Sequence, residues 1–409
     1  MKKKLGYGAT ITLLALTASL GGGQTRDKGK LIEYKNPFYD TIKEAVKSFE
    51  KGKEEPKLKF KMDFEGYDLP RSKDAFTQYW HNDPVAQGSS GMCWCYAATS
   101  LFESDCWRLY QKKFKFSELH TVYWEYVEKA RRFVREHGDS YFAQGSQANA
   151  VIRIWKKYGC VPAEAYTGMQ ADQVHHGHDK MFVKMDTYLK SVKQDSAWNE
   201  KVVLQTIKSI LNHHLGRPPA KITYDKRSMT PLEFLKNEVK IKPDDYTDVL
   251  SLMIAPYWEK AEYKCPDNWW HSRRFNNVPL DDYMDALKQA VRKGYTLAIG
   301  GDVSESGYFS FKDVAMVPSY DIPSAYIDEH ARQFRFSNKS TTDDHGIHVV
   351  GYQERDGVTW FLIKDSGSGA RNGAHKGYYF YHEDYIKLKM MNFMVHKSAV
   401  RGLLEKMKK

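Results

Sequence analysis

The stretch Gln87-Gly88-Ser89-Ser90-Gly91-Met92-Cys93-Trp94-Cys95-Tyr96-Ala97-Ala98-Thr99-Ser100 constrains this chain more than any other. Polar and glycine residues run into a Cys-Trp pair, and apolar residues follow at helical spacing: Ala97, Ala98, Leu101, Phe102. The pattern predicts a helix that starts at Cys93, with Ser89 or Ser90 near its N-cap. A thiol there meets the positive end of the helix dipole and several unpaired N–H groups, which favour thiolate. Gln87, six residues upstream, can turn its side-chain amide back toward the same spot. One short segment thus offers a nucleophile, an oxyanion-type donor and a dipole. A lone helical cysteine is more often a small buried apolar group. The glycine-rich approach and Gln87 favour the nucleophile. Cys95 lies about 200° round the same helix and cannot share that role.

These residues resemble the active-site segment of papain-like cysteine peptidases, which carry Gln, Gly and then Cys-Trp at this spacing. A narrower likeness is to the bleomycin hydrolase and bacterial aminopeptidase C branch. It is carried by Phe116-Ser117-Glu118-Leu119, by Tyr123 to Ala130 with its Glu128-Lys129-Ala130, and by Asn277-Val278-Pro279-Leu280 before a helix and the strand Tyr295–Val303. The resemblance implies an α+β, two-lobed fold, with a helical lobe and an antiparallel β-barrel-like lobe facing each other across a cleft. It implies backbone pairing to substrate at Gly145, with Trp94 as a second substrate-binding residue. Gln144 stands where those enzymes have the first glycine of a pair. In that branch the chain's own C-terminal end lies in the cleft and its carboxylate receives the substrate amine. Here Ser398 to Lys409 is basic and helix-like, with Leu403, Leu404 and Met407.

A thiol nucleophile needs a base. Asp343-Asp344-His345-Gly346-Ile347-His348-Val349-Val350-Gly351-Tyr352 reads as a strand, Asp356-Gly357 as a turn, and Thr359–Asp365 as the returning strand. Folding this hairpin about residues 354–357 puts Asp365 opposite or diagonal to His345, at roughly 5–8 Å between β-carbons. His345 and His348 point to opposite faces because their separation is odd. The papain-like pattern of Asp-His before an apolar strand selects His345. It then takes the Cys93 proton and later protonates the leaving amine, while Asp365 holds the imidazole. Papain-like enzymes usually have Asn-Ser-Trp-Gly here; this chain has Asp365-Ser366-Gly367-Ser368. The carboxylate should keep His345 protonated to higher pH, and the tryptophan that shields the histidine is missing.

Composition bounds the rest. With 409 residues, 42% of them hydrophobic and 28% charged, there is ample material for a core. Residues 1–23 read as a secretory signal: Lys2, Lys3 and Lys4, then the apolar Ala9–Leu20, then Ser19 to Gly23. That run is too short to span a bilayer. Its removal takes three lysines and no acid, so the net charge of +11 falls to +8. An excess of this size is a solvated face, and no nucleic-acid module is present, so nucleic acid is not expected as the main ligand. Five cysteines leave at least one thiol unpaired in an exported chain. The expected organisation is a signal (1–23), a charged lead-in (24–80) and a peptidase domain (81–409) with a mainly helical insertion at about 165–275. His175-His176-Gly177-His178-Asp179 lies in that insertion, but adjacent loop histidines rarely converge on one ion, so neither metal nor cofactor is expected.

The expectation is an exported, periplasmic or secreted cysteine peptidase with Cys93, His345, Asp365 and Gln87 in its site. Its substrate is a peptide or protein, and the branch implies N-terminal trimming and a hexameric homo-oligomer. Endopeptidase action, acyl transfer to another acceptor, and non-catalytic peptide binding stay open.

Overall fold

The computed structural model describes residue 33, residues 35–51 and residues 58–408; the expected signal lies outside them. The chain divides into two units, Met1–Leu58 and Lys59–Lys409. In the first, α1 (Pro37–Lys51) carries Phe38, Ile42, Val46 and Phe49 on one stripe, all exposed.

The second unit opens with β1 (Thr77–Gln78). Its helical part comprises α2 (Cys93–Tyr110), α3 (Glu118–Arg135), α4 (Ala150–Tyr158), α5 (Asp179–Gln194) and α6 (Glu200–Leu215). Ser117 caps α3 by accepting from the His120 N–H, and Gly159, at φ 72°, ends α4 in a conformation that favours glycine. The expected stripes Met181, Met185, Leu189, Val192 and Val203, Ile207, Leu211 are the buried faces of α5 and α6. A short ribbon, β2 (Ile222–Tyr224) with β3 (Arg227–Met229), leads to α7 (Pro231–Glu233) and a π-helical turn ending at Val239.

The insertion is therefore helical only in its first part. Its later residues form β4 (Tyr246–Leu250), β5 (Glu259–Ala261) and β6 (Phe275–Asn277), all in the main sheet. Tyr246–Leu250 is buried on both faces, so it shows no alternation for sequence reading to catch. After α8 (Leu280–Arg292) come β7 (Leu297–Gly301), β8 (Tyr308–Phe309), β9 (Val314–Ala315), α9 (Glu329–Ser337), β10 (His345–Arg355), β11 (Val358–Lys364), β12 (Tyr378–His382), α10 (Glu383–Lys389), β13 (Met390–His396) and α11 (Arg401–Lys406). The sheet order is β5-β6-β4-β13-β7-β10-β11-β12-β9-β8, with β1 on β10. It is mixed, because β4–β6 and β9–β12 pair in parallel. Among the described residues nothing joins β5 to β8, so the observed lobe is an open sheet and no closed barrel is found.

Two features position the site. α2 is buried from Trp94 to Cys106 and shares one core with α3–α6 and with Ala298 and Met394 of the sheet. It is thus fixed between helices and strands, as a helix buried on all sides must be. Asn277 is fully buried and ties the loop after β4: its Oδ1 accepts from the Leu252 N–H at 3.1 Å, and its Nδ2 donates to the carbonyls of Leu252 (2.8 Å) and Ala255 (2.9 Å). Asn277→Leu should cost about 3 kcal/mol, read as a lower urea midpoint, because it strands several buried backbone groups. No described helix is long and apolar enough to cross a membrane.

Candidate active site

Cys93 is the first residue of α2, but the N-cap is Met92 and no side chain caps the helix. The expected serine cap is absent because both hydroxyls are engaged elsewhere. Ser90 Oγ donates to the Gln87 carbonyl at 2.7 Å, and Ser89 Oγ donates to Asp179 Oδ2 at 3.2 Å. The helix start is left open around the half-exposed thiol.

His345 opens β10, where it pairs with Gly301 of β7. The next residue decides how near it comes to Cys93. A β-carbon on Gly346 would stand 3.1 Å from Trp94 Cα and 3.2 Å from its N, so only glycine lets the strand lie on the helix start. The imidazole then lines one pocket with Cys93. Its Nε2 meets Asp365 Oδ1 at 2.8 Å. The hairpin that joins them turns at Asp356 and Gly357, φ 52° and 79°, the left-handed pair that a two-residue turn requires. A bulge between Val349 and Gly351 shifts the register by one residue, which leaves Asp365 diagonal to His345. His348 points away and is buried against Ser100 at 2.9 Å, and burial holds its pKa well below the ordinary value.

Burial alone would pull the His345 pKa down. The charge of Asp365 and then that of a Cys93 thiolate outweigh it and hold the imidazolium well above its ordinary value. Burial would likewise raise Asp365, but the charge and hydrogen bond of His345 and the Gly367 N–H keep it low. Asp365 is 2% exposed and also accepts from the Gly367 N–H at 2.6 Å and from Tyr308 Oη at 3.5 Å. A β-carbon on Gly367 would be 3.4 Å from His345 Nε2, so the missing tryptophan leaves this edge of the pair without a side-chain cover of its own.

Removing the carboxylate charge while keeping the shape should lower the imidazole pKa. Asp365→Asn is therefore expected to move the alkaline limb of the pH–rate profile down by about one unit or more, because the imidazolium is lost earlier as pH rises. An unmoved limb would disprove the charge coupling.

Gln87 is nine-tenths buried and, besides the Ser90 hydroxyl on its carbonyl, is held at three further points. Its N–H donates to the Ser366 carbonyl (2.9 Å), its Oε1 accepts from Ser366 Oγ (2.7 Å), and its Nε2 donates to the Ser90 carbonyl (2.5 Å). Ser366, unassigned from sequence, thus joins the Gln87 loop to the residue beside Asp365. Gln144 has a use as well: its Oε1 accepts from the Gly91 N–H at 2.9 Å, while its Nε2 donates to Asp179 Oδ1 at 3.2 Å. The histidine-rich loop braces the same segment through its backbone, Ser89 N–H to His176 O at 2.8 Å and His178 N–H to Ser89 O at 3.0 Å. Burial pushes His178 down to about 4.

Gly145 is positioned from behind. Lys129 is buried, and its ammonium donates to the Ala143 carbonyl at 2.7 Å and to the Gly145 carbonyl. Trp94 is buried and lines a pocket with Cys93, Gln147, Asp267, Asp343 and His345. Cys95 is fully buried, its thiol donates to the Glu118 carbonyl, and burial raises its pKa well above the ordinary range.

The α+β fold and the family to which the chain belongs make it a protein of the cysteine-peptidase type. The chain belongs to the Peptidase C1-like family, whose model matches residues 69–408. It is 27% identical over 272 residues to aminopeptidase C of Listeria innocua, covering 56% of this chain and 61% of that one. It is 24% identical over 359 residues to aminopeptidase C of Lactococcus lactis subsp. cremoris, covering 78% and 81%. The crystal structure of PepW from Lactobacillus rhamnosis superposes with TM-score 0.67 at 18% identity, over 82% of this chain and 86% of that one, which shows a shared fold.

Proposed function

We propose that this chain hydrolyses peptides through Cys93 as nucleophile, His345 as general base and acid, and Asp365 as the group that orients the imidazole. The observation that carries this reading is the pairing of His345 with Asp365 in a pocket that Cys93 also lines. His345 takes the thiol proton, and the thiolate attacks the scissile carbonyl. One Gln87 amide hydrogen is engaged by Ser90. The other, with the N–H groups at the start of α2, stabilises the oxyanion. His345 then protonates the leaving amine, and water attacks the acyl-enzyme. Gly145 pairs with the substrate backbone beside Trp94.

The kinship with proteins called aminopeptidase C supports trimming from the N-terminus. Endopeptidase action is the second reading. None of residues 401–408 lines the pocket beside Cys93, where the branch's own C-terminal end would block longer substrates. Digesting a mixed peptide library and reading it by mass spectrometry separates the two. Stepwise loss from the N-terminus is expected; internal cuts would replace that reading with the second. Export after cleavage near residue 23, the division at about residue 80, a barrel-like curl of the sheet lobe and a hexameric assembly complete the proposal. N-terminal sequencing of the protein recovered outside the cytoplasm tests the first, and sedimentation the last.

A further inference from the structure

We propose that the pocket beside Cys93 receives a cationic nitrogen of the substrate, held by Asp267, Asp343 and Asn392. The inference deepens the peptidase reading, in that the pocket opens beside the proposed nucleophile, and names what its substrate must carry.

The pocket is lined with acceptors that have unused capacity. The Asp267 carboxylate lies directly over the Gly145 backbone, where a β-carbon would come within 2.2 Å of Oδ2. Among the described residues it makes no hydrogen bond or ion pair. The cation that acts on it, Lys129, is not in the pocket lining and donates to the carbonyls of Ala143 and Gly145. Asn392 is 3% exposed; its Nδ2 donates to Gln147 Oε1 at 3.4 Å, while its Oδ1 accepts from no described residue. Asp343 accepts from Gln147 Nε2 through one oxygen. Gly300 keeps the floor between them open, because a β-carbon there would be 3.2 Å from both Asp343 Oδ1 and Asn392 Nδ2. The hydroxyl of Ser146, also in the lining, donates away from the pocket to Glu125.

Two carboxyls in one small pocket repel. Burial first, and then the charge of Asp267, push Asp343 up to about 7. A leucine side chain would leave the Asp267 carboxylate without a donor, an unfavourable arrangement. An ammonium or guanidinium brings several N–H donors and a positive charge to all three acceptors. Either the N-terminal ammonium of a peptide or a lysine or arginine side chain supplies that chemistry.

The test is binding to full-length Cys93→Ala, which cannot turn the peptide over. Two matched pairs of fluorescent peptides serve as probes. One pair is acetylated and differs only in arginine against citrulline two residues before the cleaved bond. The other carries leucine there, with a free or an acetylated amine. At least one cationic member is expected to bind about tenfold or more tighter than its neutral mate. The pair that discriminates identifies the source of the charge. Adding Asp267→Asn should erase that preference, and so should the second variant, Asp343→Asn; a preference that survives in both overturns the proposal. Equal binding within both pairs overturns the proposal. Failure of the peptidase reading looks different: a thiol-directed epoxide would then not label Cys93 in the unaltered chain, whatever the peptides' charge preference.

Discussion

Cys93→Ala is expected to lower kcat/KM for peptide hydrolysis by about 10⁴-fold or more with the fold retained, since loss of a nucleophile removes the covalent route altogether. The substitution deletes one sulfur at a half-exposed position, so the melting temperature should change little. Labelling by a thiol-directed epoxide should vanish with the activity. Undiminished hydrolysis would sink the proposed mechanism. Cys95→Ala is the matched control: its thiol is sealed between α2 and α3, and burial keeps it protonated, so hydrolysis should persist while stability falls slightly.

Gly346→Val should have the second largest effect, about 10²-fold or more on kcat, although residue 346 carries no reactive group. Its β-carbon would fall 3.1–3.2 Å from the Trp94 backbone, and two further methyl groups add bulk beside the start of α2. Either β10 lifts or the helix shifts, and the imidazole–thiol contact lengthens in both cases. Misplacement of a reacting group by about 1 Å is enough for a loss of this size. Gly346→Ala should show the same defect in milder form, because the helix backbone needs to yield only a few tenths of an ångström. The discriminating measurement is the rate of epoxide labelling against pH. If displacement is the cause, the valine variant should label slowly near neutral pH and recover as alkali ionises the now unassisted thiol. Labelling like that of the unaltered chain would show that the contact at Gly346 does not set the site.

The site residues were legible for local reasons. Gln87, Cys93 and the helix after it lie within one short stretch, and His345 and Asp365 are joined by one hairpin whose turn, Asp356-Gly357, is written in the residues. The strand alternation also separated His345 from His348. The details that depended on one residue of register were less secure: the bulge near Val350 moved the pairing, and the serine cap gave way to Met92 because Ser89 and Ser90 bonded within the loop and to Asp179.

What the structure added came from long-range contacts. Gln144, Asp179 and His176 reach the loop before Cys93 from far along the chain, and Ser366 clasps Gln87 from the other end of the protein. Nothing in their local patterns marks them, since a glutamine in a loop reads alike whether it faces water or a backbone N–H. The strands Tyr246–Leu250 and Phe275–Asn277 were missed for a related reason. Buried on both faces, they lose the period of two that identifies a strand.

The sequence by itself therefore marked Cys93, His345 and Asp365 as the candidate site, because helix starts and hairpins are set by neighbours a few residues apart. Only the tertiary structure decided how close these groups come, what braces them, and which acceptors face the pocket. Those outcomes depend on where a glycine admits another backbone and where a buried carboxylate finds no donor, and side-chain types along the chain carry no record of either.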